Sequence, residues 1–169
     1  MIELLDKTQT EASMLLDSRP NSQRYDQGWV GYRIIFGDLV TERVQTKFNG
    51  LVYELDRNLP TNLDSKNRHY HTAPQAMKIV DGIYFMERGR GDLMSQPISQ
   101  GVIPVGSSYE MLDSDEWHNI APETDVYTFG IMGSLFDLIR VDLSKVSIEK
   151  LSPEEIESIK SLFKEKLGS

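Results

Sequence analysis

Three histidines occur in the 169 residues, and two of them, His69 and His71, stand two apart. In an extended segment the side chains at i and i+2 leave the same face. These imidazoles therefore sit a few ångströms apart, where they either share a cation or repel each other when protonated. The third, His118, lies in Glu116-Trp117-His118-Asn119-Ile120, which also has strand character. A facial set of this kind suits Fe(II), Mn(II), Ni(II) or Zn(II), with positions left for water or substrate. The chain has no cysteine. That excludes disulfide scaffolds, thiolate zinc sites, iron–sulfur clusters and cysteine nucleophiles, so any metal must be held by nitrogen and oxygen.

The elements that must position these residues are mostly short strands. Trp29 to Phe36 is β-prone and aromatic, and Leu51-Val52-Tyr53-Glu54-Leu55 predicts another strand, followed by a polar loop from Asp56 to Asn67. Asp38 to Lys47 fits no single pattern. From His69 to Gly133, brief strands alternate with Gly, Pro, Asp and Ser, the rhythm of a β-sandwich or barrel. Asp81-Gly82 between two of them predicts a tight hairpin. Two helices flank this body. Thr8-Gln9-Thr10-Glu11 has capping-box spacing, which predicts a helix over 8–18. Ser152-Pro153-Glu154-Glu155 opens a second, over 153–167, whose stripe of Ile156, Ile159, Leu162, Phe163 and Leu167 shows no inward polar group.

Composition narrows the function. Lys and Arg total 18 against 26 for Asp and Glu, a net charge of -8. This argues against a nucleic-acid or anionic-membrane partner. No apolar run approaches the ~20 residues of a membrane span, and the acids of Met1-Ile2-Glu3-Leu4-Leu5-Asp6 stand where a signal peptide carries bases. A cytoplasmic location is the expectation. There is no glycine-rich phosphate loop, no Gly-x-Ser-x-Gly elbow and no internal repeat.

His69-x-His71, three residues, Gln75, six residues and Gly82 together resemble the first motif of the cupin superfamily, with glutamine where most members have glutamate. Asp113-Ser114-Asp115-Glu116-Trp117-His118 occupies the place of the second motif, with Asp113 and Asp115 replacing the usual proline and glycine. Leu63 replaces an expected glycine, Pro122 an expected asparagine, with Asn119 close by, and Gly106 is one residue from its usual place. The resemblance spans about Leu51 to Gly133.

That resemblance implies a mainly β protein: a six- to eight-stranded antiparallel jelly-roll barrel, with the short N-terminal helix and the C-terminal helix outside. On this reading residues 1–169 form one domain with its barrel core over about 29–142. The implied metal ligands are His69, His71, Gln75 and His118, and Fe(II) is the favoured ion. Three-histidine sites in the family are associated with dioxygenases, and glutamine with sugar-phosphate isomerases. Gln75 either binds as a neutral oxygen or hydrogen-bonds the barrel wall. Tyr84 is a candidate acid, base or orienter. Arg68, Arg88 and Arg90 border the motif strands, and Arg68 and Arg88 are the candidates for binding a substrate carboxylate. Met77, Ile79 and Met86 supply apolar wall, and Trp117 faces away from the metal. The function implied is a metal-dependent enzyme, foremost an Fe(II) dioxygenase on a small anionic substrate. The alternatives are a redox-neutral isomerase or lyase and a non-catalytic binding module. Family members often dimerise, which leaves a homodimer open.

Overall fold

The computed structural model describes residues 1–71, 73–132 and 146–168. Its strands are β1 (Val30–Phe36), β2 (Leu39–Phe48), β3 (Leu51–Asn58), β4 (His69–Tyr70), β5 (Gln75–Asp81) and β6 (Tyr84–Arg90). They continue with β7 (Ser99–Ile103), β8 (Ser108–Met111), β9 (Glu116–Pro122), β10 (Val126–Met132) and β11 (Val146–Lys150). Helices α1 (Ile2–Ser18) and α2 (Pro153–Leu167) stand at the two ends. The strands pair antiparallel in two sheets, ordered β11-β1-β2-β3-β10-β5-β8 and β4-β9-β6-β7. Residues 133–142 of the expected core lie outside the described residues, Gly133 among them. Among the described residues no helix is long and apolar enough to cross a membrane.

Alternation along the strands creates three layers. Val44, Tyr53, Leu55, Tyr127, Phe129 and Ile131 leave one face of the larger sheet and pack against Leu5, Leu15, Leu16, Ile156, Ile159 and Phe163 of the helices. Residues of opposite parity face the smaller sheet, where Met77, Ile79 and Met111 meet Tyr84, Met86 and Ile120. The β2–β3 hairpin turns on Asn49-Gly50, both at positive φ, the pairing that matches strand twist.

Four local expectations change. Helix α1 begins at Ile2, not residue 8, because the Thr8 hydroxyl donates back to the carbonyls of Leu4 and Leu5 instead of capping. Strand β3 runs on through Asp56-Arg57-Asn58, because each of these polar side chains has a cross-strand partner: Arg43, Glu42 and Thr41. Asp81-Gly82 makes no hairpin. Gly82 does turn at φ +97, yet β5 and β6 belong to different sheets, since Ile83 exchanges hydrogen bonds with Thr124 and Glu123. In α2 the capping box forms as read, but Lys160 is buried, its Nζ donating to Asn21 Oδ1 at 3.2 Å and to Glu157 at 2.6 Å.

Candidate metal centre

His69 opens β4 directly opposite His118 on β9, and His71 follows just past the end of β4. The period-2 spacing thus brings two rings to the inner face, and the strand pairing adds the third. All three are buried. The Nε2 atoms of His69 and His118 lie 2.8 Å apart and those of His71 and His118 2.7 Å apart. Nitrogens about 2.1 Å from one ion and at right angles to each other stand about 3 Å apart, so the cluster has the compactness of a facial ligand set.

The loops fix these rings. His69 Nδ1 lies 2.8 Å from the Asn67 carbonyl, which can only accept, so the proton sits on Nδ1 and Nε2 keeps its lone pair. Asn67 closes a 3-10 turn over Ser65–Asn67 and is itself fully buried. Its Oδ1 accepts from the Asp38 backbone and lies against Gly37, at φ +58 in the β1–β2 turn, where a Cβ would collide with it. Burial drives all three histidines below their ordinary pKa, His69 to about 4, with mutual repulsion adding to the fall for His71 and His118. They are neutral at pH 7, the form that ligates. His118 Nδ1 is buried without a hydrogen-bond partner among the described residues. Three Nε2 atoms turned on one point, that of His69 with its lone pair fixed, suit a cation, and the donor set fits a divalent transition metal.

The rings open on a cavity of about 40 Å³. Ile34, Phe36, Leu39, Met77 and Ile120 form its apolar wall, and Gln75 lines it beside the histidines. The larger sheet also gives the cavity polar lining. Arg43 and Asp56, register partners on β2 and β3, form a two-pronged ion pair at 2.9 and 2.8 Å. Arg43 Nη2 also lies 3.0 Å from Glu54 Oε1, while Gln45 donates to Glu54 Oε2. Burial outweighs that attraction and pushes the Glu54 carboxyl up to about 8. The Tyr84 and Tyr109 hydroxyls stand 3.4 Å apart, and burial raises both phenols, Tyr109 to about 12.

The structure therefore brings His69, His71, His118, Gln75 and Tyr84 to one cavity. It does not bring Arg68 or Arg88 there. Arg68 stacks over Trp117 at 4.4 Å and donates to the carbonyls of Leu93 and Ser95, across the smaller sheet from the cavity. Arg88 donates to the Glu110 carbonyl at 2.7 Å and reaches Glu116, and neither arginine lines the cavity. Arg90 is bound to Asp113 at the turn before β9. Arg43, Asp56, Asn58 and Tyr109 line the cavity without having been singled out in the sequence. The signal was the alternation of Thr41-x-Arg43-x-Gln45 against Glu54-x-Asp56-x-Asn58, two polar faces at strand period.

Two antiparallel sheets enclose the histidine cluster, in agreement with the mainly β, cupin-type arrangement that the sequence motifs imply. No protein-family model and no curated protein matches the chain. Among solved structures, hydroxypropylphosphonic acid epoxidase from S. wedmorenis is 15% identical, over 59% of this chain and 54% of that one, with a TM-score of 0.41. KdgF from Halomonas sp. is 10% identical, over 56% of this chain and 81% of that one, at 0.43. VPA0057 from Vibrio parahaemolyticus, of unknown function, is 13% identical over 56% and 87%, at 0.41. The chain spans about half the length of the epoxidase structures it matches. Likeness at this level concerns part of the backbone and transfers no chemistry.

Proposed function

We propose that this protein is a metal-dependent enzyme, a non-haem Fe(II) dioxygenase that acts on a small organic anion. The observation behind the reading is the convergence of the three Nε2 atoms, His118 lying 2.7 Å from His71 and 2.8 Å from His69, at the wall of a buried pocket. Neutral histidines leave a bound dication its full charge, which suits an anionic, chelating substrate. Iron, when bound, supplies the redox chemistry with dioxygen. The side chains shape the cavity and orient. Ile34, Phe36 and Met77 supply its apolar wall, and the protonated phenols of Tyr84 and Tyr109 offer O–H donors to a substrate oxygen. Asp56, the one carboxylate in the described lining, is taken at both oxygens by Arg43. A wall rich in donors and poor in uncommitted bases supports a redox reaction over a redox-neutral isomerase or lyase.

The test is elemental analysis of untagged protein purified without chelators, followed by oxygen consumption with a panel of small hydroxy and keto acids. Oxygen uptake that requires Fe(II) and vanishes in His71→Ala is the expected result. Turnover of the same acids with Zn(II) or Mn(II) under anaerobic conditions would establish the isomerase or lyase reading instead. Stoichiometric metal with no turnover would leave a binding module.

A further inference from the structure

We infer that Arg43 anchors the substrate's anionic group, so that the substrate is a small carboxylate whose second oxygen reaches the metal centre; the inference rests on the metal-centre reading above. Arg43 is the guanidinium that lines the cavity among the described residues, since Arg68 and Arg88 are engaged elsewhere. Its Nε and Nη2 hold Asp56, and Nη2 also meets Glu54. No hydrogen bond among the described residues engages Nη1. A guanidinium serves a single carboxylate fully with one edge, so holding Asp56 leaves the Nη1 donors over. The side chain retains 11% exposure, and it does so at a cavity wall.

The electrostatics agree. Arg43 and the three histidines line the same cavity, which places its charge before the metal ligands. A purely structural ion pair would bury its cation behind the carboxylates. Here Glu54 is fully buried outside the lining, while Asp56 lines the cavity beside the cation, and the two fix its orientation. Thr41 adds to this wall by donating to Asn58 Oδ1 at 2.8 Å, which leaves the Asn58 amide N–H groups as further donors beside the cavity. The wall recognises an acceptor-rich group. A carboxylate meets it with charge, and an alcohol of the same shape does not.

The experiment uses the whole chain loaded with Co(II), whose visible absorption changes when a ligand enters the coordination sphere. Glycolate is the probe, and 1,2-ethanediol is its neutral counterpart. Glycolate should perturb the spectrum of the parent protein at far lower concentration than ethanediol. Arg43→Gln should weaken glycolate about 10- to 100-fold, the loss of one charge-assisted contact, while Co(II) and ethanediol bind as in the parent. Because Arg43→Gln strands two buried carboxyls, the variant R43M/E54Q/D56N, which leaves no buried charge in the cluster, is measured beside it and should lose glycolate in the same way. Glycolate bound equally well by the parent and the triple variant, with Co(II) retained, overturns the anchor alone. Failure of the parent to take up Co(II) overturns the metal centre, and the anchor with it.

Discussion

The two faces of the seven-stranded sheet are made by the same strands and could hardly differ more. On the outer face β3 presents Tyr53 and Leu55 and β10 presents Tyr127, Phe129 and Ile131, all buried under α1 and α2. On the inner face the alternate residues of β3 are Glu54, Asp56 and Asn58, beside Arg43 and Gln45 of β2, and Gln75 lies farther across the sheet with the apolar Met77, Ile79 and Met111. One face removes apolar surface from water. The other buries charges that contribute little net stability even when paired. The protein thus draws stability from the helix-covered side and from the apolar part of the inner face, and spends part of it on the charges beside the cavity. If that division is right, damage to either face should be read by a different instrument.

The largest effect is expected from the inner face and should be chemical. The double variant H69A/H71A removes two of three nitrogens and should abolish stoichiometric metal uptake, a loss well beyond the roughly 10- to 100-fold seen when an outer partner of a ligand is removed. Melting of the metal-free protein should fall only modestly, because relief of the crowded imidazoles offsets part of the cost of the space left and of the donor lost to the Asn67 carbonyl. Isothermal titration with Mn(II) and a melting curve separate the two readouts. A variant that still binds one equivalent would place the site elsewhere.

The outer face should answer in stability. Phe163 is fully buried and meets the Tyr127 ring edge-on at 5.6 Å. Phe163→Ala should cost about 3–5 kcal/mol in denaturant unfolding, with metal affinity unchanged in the fraction that remains folded. A loss below about 1 kcal/mol would mean the helix adds little beyond its own propensity, and the division between the faces would fall.

The inner face also predicts how metal-free protein responds to pH. His69 has a folded pKa near 4 against an ordinary 6.5, so the unfolded chain binds the extra proton and stability drops as pH falls from 6.5 towards 4. His71 and His118, lowered further, act in the same direction. Glu54 is opposite: its carboxyl, near 8 when folded against an ordinary 4.5, keeps a proton that the unfolded chain gives up, so stability drops as pH rises through that window. Three histidines outweigh one glutamate below 6.5, and Glu54 acts alone above it. Stability should peak near pH 6.5 and fall by about 2 kcal/mol by pH 8. In Glu54→Gln the alkaline fall should be gone, as urea midpoints across pH 5–9 will reveal. A fall that persists in the variant would remove Glu54 from the account.

The contrast between the faces also explains what could be read in the chain. Alternation of apolar residues is legible, so β1, β10 and α2 stand out, and the Ser152 capping box sets where α2 starts. His69, His71 and His118 stand out because histidine is rare here and period 2 aligns the first two. Asp56, Arg57 and Asn58 look like loop residues because their polarity is satisfied only by partners at a sequence distance, Arg43, Glu42 and Thr41. The cavity's polar wall was hidden for that reason. Likewise nothing near Asp81-Gly82 says that the next residue, Ile83, donates to Thr124 and accepts from Glu123. Arg68 and Arg88 flank the right strands, but their guanidiniums find carbonyls and carboxylates nearer than the cavity.

The smallest effect concerns Gln75, where the two kinds of face meet. It is the first residue of β5, 2% exposed, next in the chain to Ala76 of the outer core, and its own side chain lines the cavity. Its Nε2 reaches Met111 Sδ at 3.9 Å, a weak acceptor, so that contact commits the amide only lightly. As a neutral oxygen donor it would be the poorest of the four ligands. Gln75→Ala should therefore weaken Mn(II) by about tenfold at most, less than an outer-partner deletion at the upper end of its range. Gln75→Glu adds a hard anionic oxygen and should tighten Mn(II), while glycolate weakens because the centre loses one unit of net positive charge. These opposite movements of metal and anion are the signature of ligation. Had Gln75 only packed the wall, both variants would shift melting and leave the two affinities where they were, and the centre would be the three histidines alone.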